Sequence, residues 1–236
     1  MPISTFQDVV DDCVLSASEG QLRLADLTGA EGVEDGYSID LPNAWFTFTG
    51  LSGASLPARA HFIGTASPHD GRWLWGWHNV NELPDTAVQL VGRIRDFGAQ
   101  HGLAEFTEAF QPLEFGPRQD ATRYAWISTV IGGGLPHHVF DAGSGTIAVL
   151  LLESNLFRPP AASVTRASEV IQQVRRLGAV ADWRRAIASY AELRGFGHRS
   201  GARGVDLTAA DGRLTVNLDE RGRITELGGV FRSSDG

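Results

Sequence analysis

Lysine is absent from this chain of 236 residues, and all 20 of its basic residues are arginine. This absence excludes Schiff-base chemistry, a lysine general base and the lysine of a phosphate-binding P-loop. Asp and Glu number 28, which gives a net charge of -8. Because a nucleic-acid-binding surface needs basic side chains to neutralise phosphates, this charge balance predicts that nucleic acid is not a partner.

Cysteine is almost absent: Cys13 is the only one, so the chain has neither an internal disulfide nor a cysteine-based zinc site. The longest uninterrupted apolar run, residues 147–152, is far shorter than the roughly 20 residues that a membrane-spanning helix needs. The first residues include Asp8, Asp11 and Asp12 where a signal peptide has a basic segment. These patterns predict a soluble cytoplasmic protein without a membrane partner.

Tryptophan is concentrated in one stretch, residues 72–79, which holds three of the six in the chain. The three recur at every second residue, which is the side-chain period of a strand. The predicted strand carries the indoles on one face and other side chains on the opposite face: Trp73, Trp75 and Trp77 against Leu74, Gly76 and His78. A row of indoles is either a buried core or a platform for a flat ligand, and we favour the core.

A hairpin is predicted between the tryptophan strand and the preceding strand, residues 58–66, through the turn at residues 67–71. With an even-numbered loop, the face that carries the indoles also carries four residues, all small except the phenylalanine: Ala58, Ala60, Phe62 and Gly64. The other face then carries Arg59, His61, Ile63 and Thr65, and His61 becomes a neighbour of His78. An odd-numbered loop reverses this assignment.

Apolar periodicity and turn residues divide the rest of the chain into helices and strands. Helices are predicted over residues 4–25, 84–100, 118–131, 164–177 and 182–195. Strands are predicted over residues 37–41, 45–49, 112–115, 138–141 and 146–153, followed by a three-stranded meander over residues 204–227. The meander is expected to turn at residues 211–212.

The predicted fold class is α+β, a largely antiparallel sheet covered by helices, with a small C-terminal α-α-β-β-β module. The proline-containing segment over residues 157–163 predicts a linker. We therefore expect two domains, residues 1–157 with the tryptophan hairpin and residues 164–236 packed on it. Cys13 lies in the apolar stripe of the first helix, which favours a small buried hydrophobe over a reactive thiol.

The tryptophan strand also carries a resemblance to a known family. The run Trp73-Leu74-Trp75-Gly76-Trp77-His78-Asn79, followed by Leu83-Pro84 and a helix that ends over residues 97–103, resembles a family of uncharacterised bacterial proteins with a W-L-W-[AG]-W-x-N strand. The resemblance covers residues 1–153. The family is a domain of unknown function, so the resemblance implies a fold core and a bacterial origin but no catalytic residues.

Candidate ligand-binding residues cluster at the end of the tryptophan strand: His61, His78, Asn79 and Asn81. The two asparagines precede a helix N-terminus, where backbone N–H groups donate hydrogen bonds to anions. Asn79 is also expected to form hydrogen bonds with the backbone of the strand-to-helix turn. Neither an H-E-x-x-H nor an H-x-H spacing occurs, and G-x-S-x-G and G-x-G-x-x-G are also missing. We therefore predict no metal and no cofactor, and the sequence identifies no catalytic residue.

Two classes of function remain open. The leading prediction is a non-enzymatic cytoplasmic binding or interaction protein, whose partner is another protein or a second copy of the chain in a homodimer. The alternative is a small-molecule-binding protein or an enzyme, with a pocket between sheet and helix near His61, His78 and Asn79. A filled core with an exposed apolar patch favours the first class, and a deep pocket lined by those three residues favours the second.

Overall fold

The computed structural model describes residues 1–232 of the chain. Their contacts form two compact units: the terminal unit comprises Met1–Glu19 with Pro159–Gly236, and the central unit comprises Gly20–Arg158. Helix α1 (Phe6–Glu31) contributes its first part to the terminal unit and its second part to the central unit. In the described residues, every helix is too short or too polar to cross a membrane.

The central unit has the predicted α+β composition of helices and antiparallel strands. Its strands are β1 (Gly36–Asp40), β2 (Trp45–Thr49), β3 (Ser55–Ser67), β4 (Arg72–Trp75), β5 (Phe110–Pro112), β6 (His137–Asp141) and β7 (Ile147–Glu153). Its helices after α1 are α2 (Asp85–His101), the short α3 (Ala104–Thr107) and α4 (Pro117–Ile131). The predicted strand over residues 112–115 therefore lies slightly earlier in the chain.

One curled sheet contains all seven strands of the central unit. The path runs β1-β2-β3-β4-β5, and β7 pairs with both β3 and β6. Although β1 and β6 are not neighbours in this order, the ring of Tyr37 in β1 lies 4.5 Å from that of His138 and 6.2 Å from that of Phe140 in β6. These contacts show that the sheet curls until its two ends approach each other.

The hairpin between β3 and β4 has the predicted even-numbered loop, because Ser67 pairs with Arg72. Trp73 pairs with Ala66 and Trp75 pairs with Gly64, and both indoles are 0% exposed. The structure confirms that these tryptophans are core residues opposite small side chains. The prediction for Trp77 is wrong, since β4 ends at Trp75 and a 3-10 turn over Gly76–His78 carries Trp77 out of the strand.

A β-bulge in β3 overturns part of the predicted pairing. Phe62 pairs with Leu150 of β7, whereas Gly64 pairs with Val149, so Ile63 is the extra residue. The side chains of Ala58, Ala60 and Phe62 consequently lie on the face opposite to the indoles. They belong to a second apolar cluster inside the curl that includes Ala58, Ala60, Phe62, Phe46, Phe48, Leu56, Leu150 and Leu152.

Helices α2 and α4 pack against the tryptophan side of the sheet. Helix α2 buries Ala87, Leu90, Val91, Ile94 and Gly98, which repeat at helical spacing. It ends at Gly102, whose left-handed φ of 68° suits glycine, as the sequence predicts. Helix α4 begins with Pro117 in its first turn and covers β7 and β6.

The terminal unit contains the second sheet and two helices that pack on it. Its elements are α5 (Val164–Leu177), α6 (Trp183–Arg194), β8 (Gly197–Gly201), β9 (Gly204–Ala209), β10 (Gly212–Leu218) and β11 (Ile224–Phe231). The strands form an antiparallel sheet in the order β11-β10-β9-β8. Strand β8 was not predicted, because its sequence is polar and rich in glycine.

The β9–β10 hairpin turns one residue earlier than predicted. Ala209 pairs with Gly212, so the turn is Ala210-Asp211 and Leu207 faces Leu214. This shift of two residues in register keeps the apolar side chains on the same face, because the side-chain period of a strand is two.

The beginning of α1 is held in the terminal unit by a buried arginine of α6. Arg185 is 5% exposed and contacts Asp12 at 2.5 Å and Asp8 at 3.1 Å. Cys13 is 3% exposed beside this network, and burial raises the pKa of its thiol. The structure thus confirms that Cys13 is a buried hydrophobe.

Candidate functional site

A groove of about 510 Å³ lies on the surface of the central unit. Residues from three adjacent strands and one loop line it: Thr65, Ser67, Asp70, Arg72, Leu74 and Phe110. The lining combines an aromatic ring, an aliphatic side chain, two hydroxyl groups and one charge of each sign. This combination suits a ligand that presents an apolar group beside polar groups.

Strand pairing fixes the positions of these side chains. Thr65 pairs with Leu74, and Leu74 pairs with Phe110, so the three form one cross-strand row. Ser67 and Arg72 form the next pair on the same face. Because these residues alternate with the buried Trp73, the packing of the indoles also orients the groove side chains.

Phe110 is the most exposed apolar group in the groove. It is 45% exposed although it lies in a strand, and the imidazole of His78 contacts its ring edge-on at 5.5 Å. His78 therefore borders the groove through Phe110. The spacing of the tryptophans predicted His78 within the strand and beside His61, but His78 lies in the 3-10 turn after β4. No local pattern marked Phe110.

Asn79 and Asn81 lie at the turn that leads into α2. The side chain of Asn79 donates to the carbonyl of Leu83 and accepts from the N–H of Leu83, both at 2.8 Å. Its backbone φ of 43° is left-handed, which asparagine tolerates better than most residues. Asn79 thus makes the backbone bonds expected of a turn residue, and Asn81 is exposed.

His61 and His78 have different partners in the structure. His61 is 3% exposed, and its Nε2 lies 3.0 Å from Oε2 of the half-exposed Glu153. The register of β3, β7 and β6 places His61 and His137 on either side of Leu151. His61 therefore lies on the face that α4 covers, since Thr129 of α4 bonds to His137 Nδ1 at 2.9 Å.

The second nitrogen of His61 has no partner among the described residues, although it is buried. Buried polar atoms usually have a hydrogen-bond partner, so such an atom needs an explanation. This nitrogen lies on the sheet face that α4 covers, and the alternative ligand pocket is predicted between sheet and helix near His61.

The imidazole of His138 lies inside the curl of the sheet among aromatic rings. Its ring neighbours within about 6 Å are Tyr37, Phe46, Phe48 and Phe140. Burial lowers the pKa of His138 to about 4 and that of the neighbouring His137 to about 3. Both imidazoles are therefore neutral near pH 7, and neither is among the predicted site residues.

The terminal unit has its own shallow cleft, beside the end of α5. Arg175, Trp183, Asp219, Arg223, Ile224 and Thr225 line it. Arg223 contacts Asp219 at 2.7 Å. One of the two arginines that line the cleft therefore already has an ion-pair partner. Within residues 1–232, no three His, Cys, Asp or Glu side chains lie close enough to hold a metal ion.

A family model spans most of the central unit and the preceding helix. It describes a family of unknown function, DUF6882, and matches residues 7–155. The chain belongs to this family. The DUF6882 match includes all six groove residues and His61, His78, Asn79 and Asn81. No curated protein and no solved structure matches the chain.

Proposed function

We propose that the chain is a non-enzymatic binding protein that recognises a partner protein through the groove at Phe110. The observation that carries the proposal is an aromatic ring, 45% exposed, on a strand beside Arg72 and Asp70. Aromatic and arginine side chains dominate the binding energy of protein interfaces. A partner that inserts an apolar side chain against Phe110 and Leu74 would also meet charges of both signs.

The rigidity of the groove supports recognition of a preformed partner surface. Leu74 and Phe110 are on paired strands, and the strand that carries Leu74 is anchored by two fully buried indoles, Trp73 and Trp75. Side chains on strands keep their positions better than side chains on loops. The net charge of -8 further favours a partner with a basic surface, because complementary charge accelerates association.

The chemistry of the lining favours binding over catalysis. Its polar groups are two hydroxyls, one carboxylate and one guanidinium, and none of the lining residues is a histidine or cysteine. Activation of a hydroxyl nucleophile needs a base within hydrogen-bond reach. Ser67 Oγ instead accepts a hydrogen bond from the backbone N–H of Asp70 at 3.4 Å.

Site-specific photocrosslinking tests this proposal. A benzophenone-bearing phenylalanine at position 110, in cells of the source organism, should give one defined protein adduct. The same residue in place of Trp45, which is 51% exposed in β2, is the matched control and should not give it. Arg72→Glu should weaken the adduct at position 110 while the melting temperature is unchanged. Identical adducts from both positions, or none from position 110, would refute the proposal.

A second candidate function is the binding of a small molecule at His61. This is the alternative prediction, whose pocket also includes His78 and Asn79. The buried, unpartnered Nδ1 of His61 supports it. Native mass spectrometry of the purified protein should then reveal a bound molecule that His61→Phe releases. A wild-type mass equal to that of the bare chain, together with a His61→Phe variant of unchanged stability, would count against this site.

A cytoplasmic location and a bacterial origin belong to the same proposal. The single thiol, Cys13, is buried and unpaired, which is typical of proteins in a reducing compartment. Fractionation of source cells, followed by detection of the chain with an antibody, should find it in the cytoplasmic fraction.

A further inference from the structure

Strand β11 leaves one edge of the second sheet open. It is the last strand in the order β11-β10-β9-β8, and no strand of residues 1–232 pairs with its outer side. Val230 and Phe231 at its end are 70% and 48% exposed. Proteins usually protect such edges with proline, a bulge or a covering element. The register of β11 with β10 shifts between Ile224 and Glu226, whereas residues 226–231 pair regularly and contain no proline.

The hydrogen-bond register identifies the backbone groups that this edge presents. The N–H of Arg232 donates to the carbonyl of Asp211 at 2.8 Å, and Val230 pairs with Arg213. Inward- and outward-facing residues alternate along an antiparallel strand. The backbone groups of Leu227, Gly229 and Phe231 therefore point away from β10 and are free to pair with another strand.

We propose that two copies of this chain associate through β11, with the two strands antiparallel and Gly229 on the twofold axis. In this register each outward-facing residue meets another one: Gly229 faces Gly229, and Leu227 faces Phe231. The three facing pairs would form about six backbone hydrogen bonds. The two four-stranded sheets would thereby become one sheet of eight strands.

Among the neighbouring registers, only this one places side chains of opposite charge opposite each other. Glu226 faces Arg232 of the second copy, and the same pair repeats on the other side of the axis. Both are in non-hydrogen-bonded positions, where the facing side chains are closer together. A register centred on Leu227 would instead place Glu226 opposite Gly228 and leave the charges unmatched. Charge complementarity therefore selects Gly229 as the centre and a second copy as the partner.

Glycine at the axis also has a steric role. A Cβ at Gly229 would lie 2.8 Å from the ring of Phe231, so this ring already leans over the glycine. On the helix-covered face, Leu227 and Phe231 of one copy would flank Phe231 and Leu227 of the other. Two glycines at the centre leave room for both rings.

This interface is in the terminal unit and is independent of the groove, so its test does not depend on the proposed function. The full chain is examined by sedimentation velocity over a range of concentrations. The wild type should reach twice the chain mass of 25.4 kDa. Glu226→Arg and Arg232→Glu should each weaken the dimer at least tenfold, and the double variant should restore it, because each swapped residue then faces an opposite charge.

Two further variants separate this interface from general effects. Glu220→Arg makes the same charge change in the exposed turn before β11 and should leave the dimer intact. Leu227→Pro removes an outward-facing N–H without breaking a bond to β10, so it should give a monomer with an unchanged circular dichroism spectrum. A wild type that is monomeric at all concentrations would overturn the proposal. So would a dimer insensitive to all these changes, or folded single variants whose defect the double variant does not repair.

Discussion

The indole of Trp75 packs in the core and also links strand β4 to the short helix α3. Its ring is 0% exposed, and its Nε1–H donates to the carbonyl of Glu105 at 2.8 Å. It also contacts the ring of Phe106 at 5.9 Å. One side chain therefore contributes both apolar burial and a hydrogen bond.

We expect Trp75→Ala to lower the free energy of unfolding by about 3–5 kcal/mol, because it removes a buried aromatic ring and leaves a cavity. Urea denaturation followed by circular dichroism measures the loss. Trp45→Ala is the matched control, since Trp45 is 51% exposed and should lose far less. Equal losses in the two variants would contradict the assignment of Trp75 to the core.

His138 should make stability depend on pH. Burial lowers its pKa to about 4, whereas an unfolded histidine titrates near 6.5. Between these values the unfolded chain binds a proton that the folded chain does not, so stability falls as the pH decreases from 6.5 towards 4. The contribution of this side chain is at most about 1.4 kcal/mol per pH unit.

His138→Phe should therefore make the pH dependence of unfolding shallower between pH 6.5 and 4, and the remaining slope should include that of His137, whose pKa is also lowered. Phe140→Leu disturbs the same aromatic cluster without removing a titrating group, so it should change stability similarly at all these pH values. Chemical denaturation at half-unit pH intervals makes the comparison. A wild-type slope retained in His138→Phe would argue against a neutral, buried imidazole.

At the scale of single residues, burial is largely predictable from the sequence. Trp73, Trp75 and Cys13 lie in apolar patterns with clear periods, and all three are buried. The ring contacts of His138 were not predictable, because they join strands that are distant in the sheet order. Phe110 was not predictable as a site residue either. Its ring is exposed because β5 is the last strand at one end of the sheet, and the local sequence does not indicate that position.

At the scale of elements, two glycines of the central unit differ in what surrounds them. A Cβ at Gly64 in β3 would lie 2.4 Å from the carbonyl oxygen of Leu74 and 2.5 Å from the ring of Trp73. A Cβ at Gly92 in α2 would have no atom within 4 Å. The first glycine permits close packing of the hairpin, and the second only weakens its helix.

Gly64→Ala should consequently destabilise the protein by about 3 kcal/mol or more, since a rigid backbone atom and an indole ring block the new methyl group. Gly92→Ala should stabilise it by about 0.5–1 kcal/mol through helix propensity. Thermal unfolding of the two variants beside the wild type provides the measurement. Shifts of the same sign would contradict the packing described for the hairpin.

The elements themselves follow well from the sequence where periodicity is strong. Helices α2, α4 and α5 begin and end within one residue of their predicted limits, because proline and glycine mark their ends. The bulge at Ile63 has no local signal, since its neighbours alternate as in a regular strand. Its consequence is large: the bulge moves Ala58, Ala60 and Phe62 to the other face and so defeats the inference from parity.

At the scale of the whole molecule, the terminal unit joins segments that are distant in the sequence. Tyr190 Oη donates to Glu19 at 2.9 Å, and Arg194 contacts the same carboxylate at 2.6 Å. Together with the Arg185 network, these contacts connect residues 1–19 to helix α6. The division of the chain into domains of residues 1–157 and 164–236 stays a prediction, and fragment studies would test it directly.

Cleavage at an engineered protease site within residues 158–163 should therefore leave the two fragments associated. Contacts of the terminal unit hold them together, so they should co-elute in gel filtration and separate only in denaturant. Arg185→Ala removes the buried partner of Asp8 and Asp12, a change that costs about 3–5 kcal/mol in comparable pairs. The cleaved variant should dissociate; separation of the cleaved wild type would contradict this account.

The function of the molecule is much less predictable than its fold. Groove residues from β3, β4 and β5 are separated by up to 45 positions, and only strand pairing brings Thr65 and Phe110 into one row. Short motifs cannot report such a site, because each residue is ordinary in its local context. The candidate residues His61, His78, Asn79 and Asn81 were chosen from the hairpin register and from their place before α2, and as a binding site they stay a prediction.

The participation of α1 in both units has a consequence for biosynthesis. Residues 1–19 leave the ribosome well before the segment against which they pack, which begins at Pro159. The central unit can assemble while Val9, Val10 and Val14 still await their partners, and these side chains are fully covered in the finished protein. Until the strands of the terminal unit emerge, the nascent chain therefore carries an apolar helix face that is available to a chaperone.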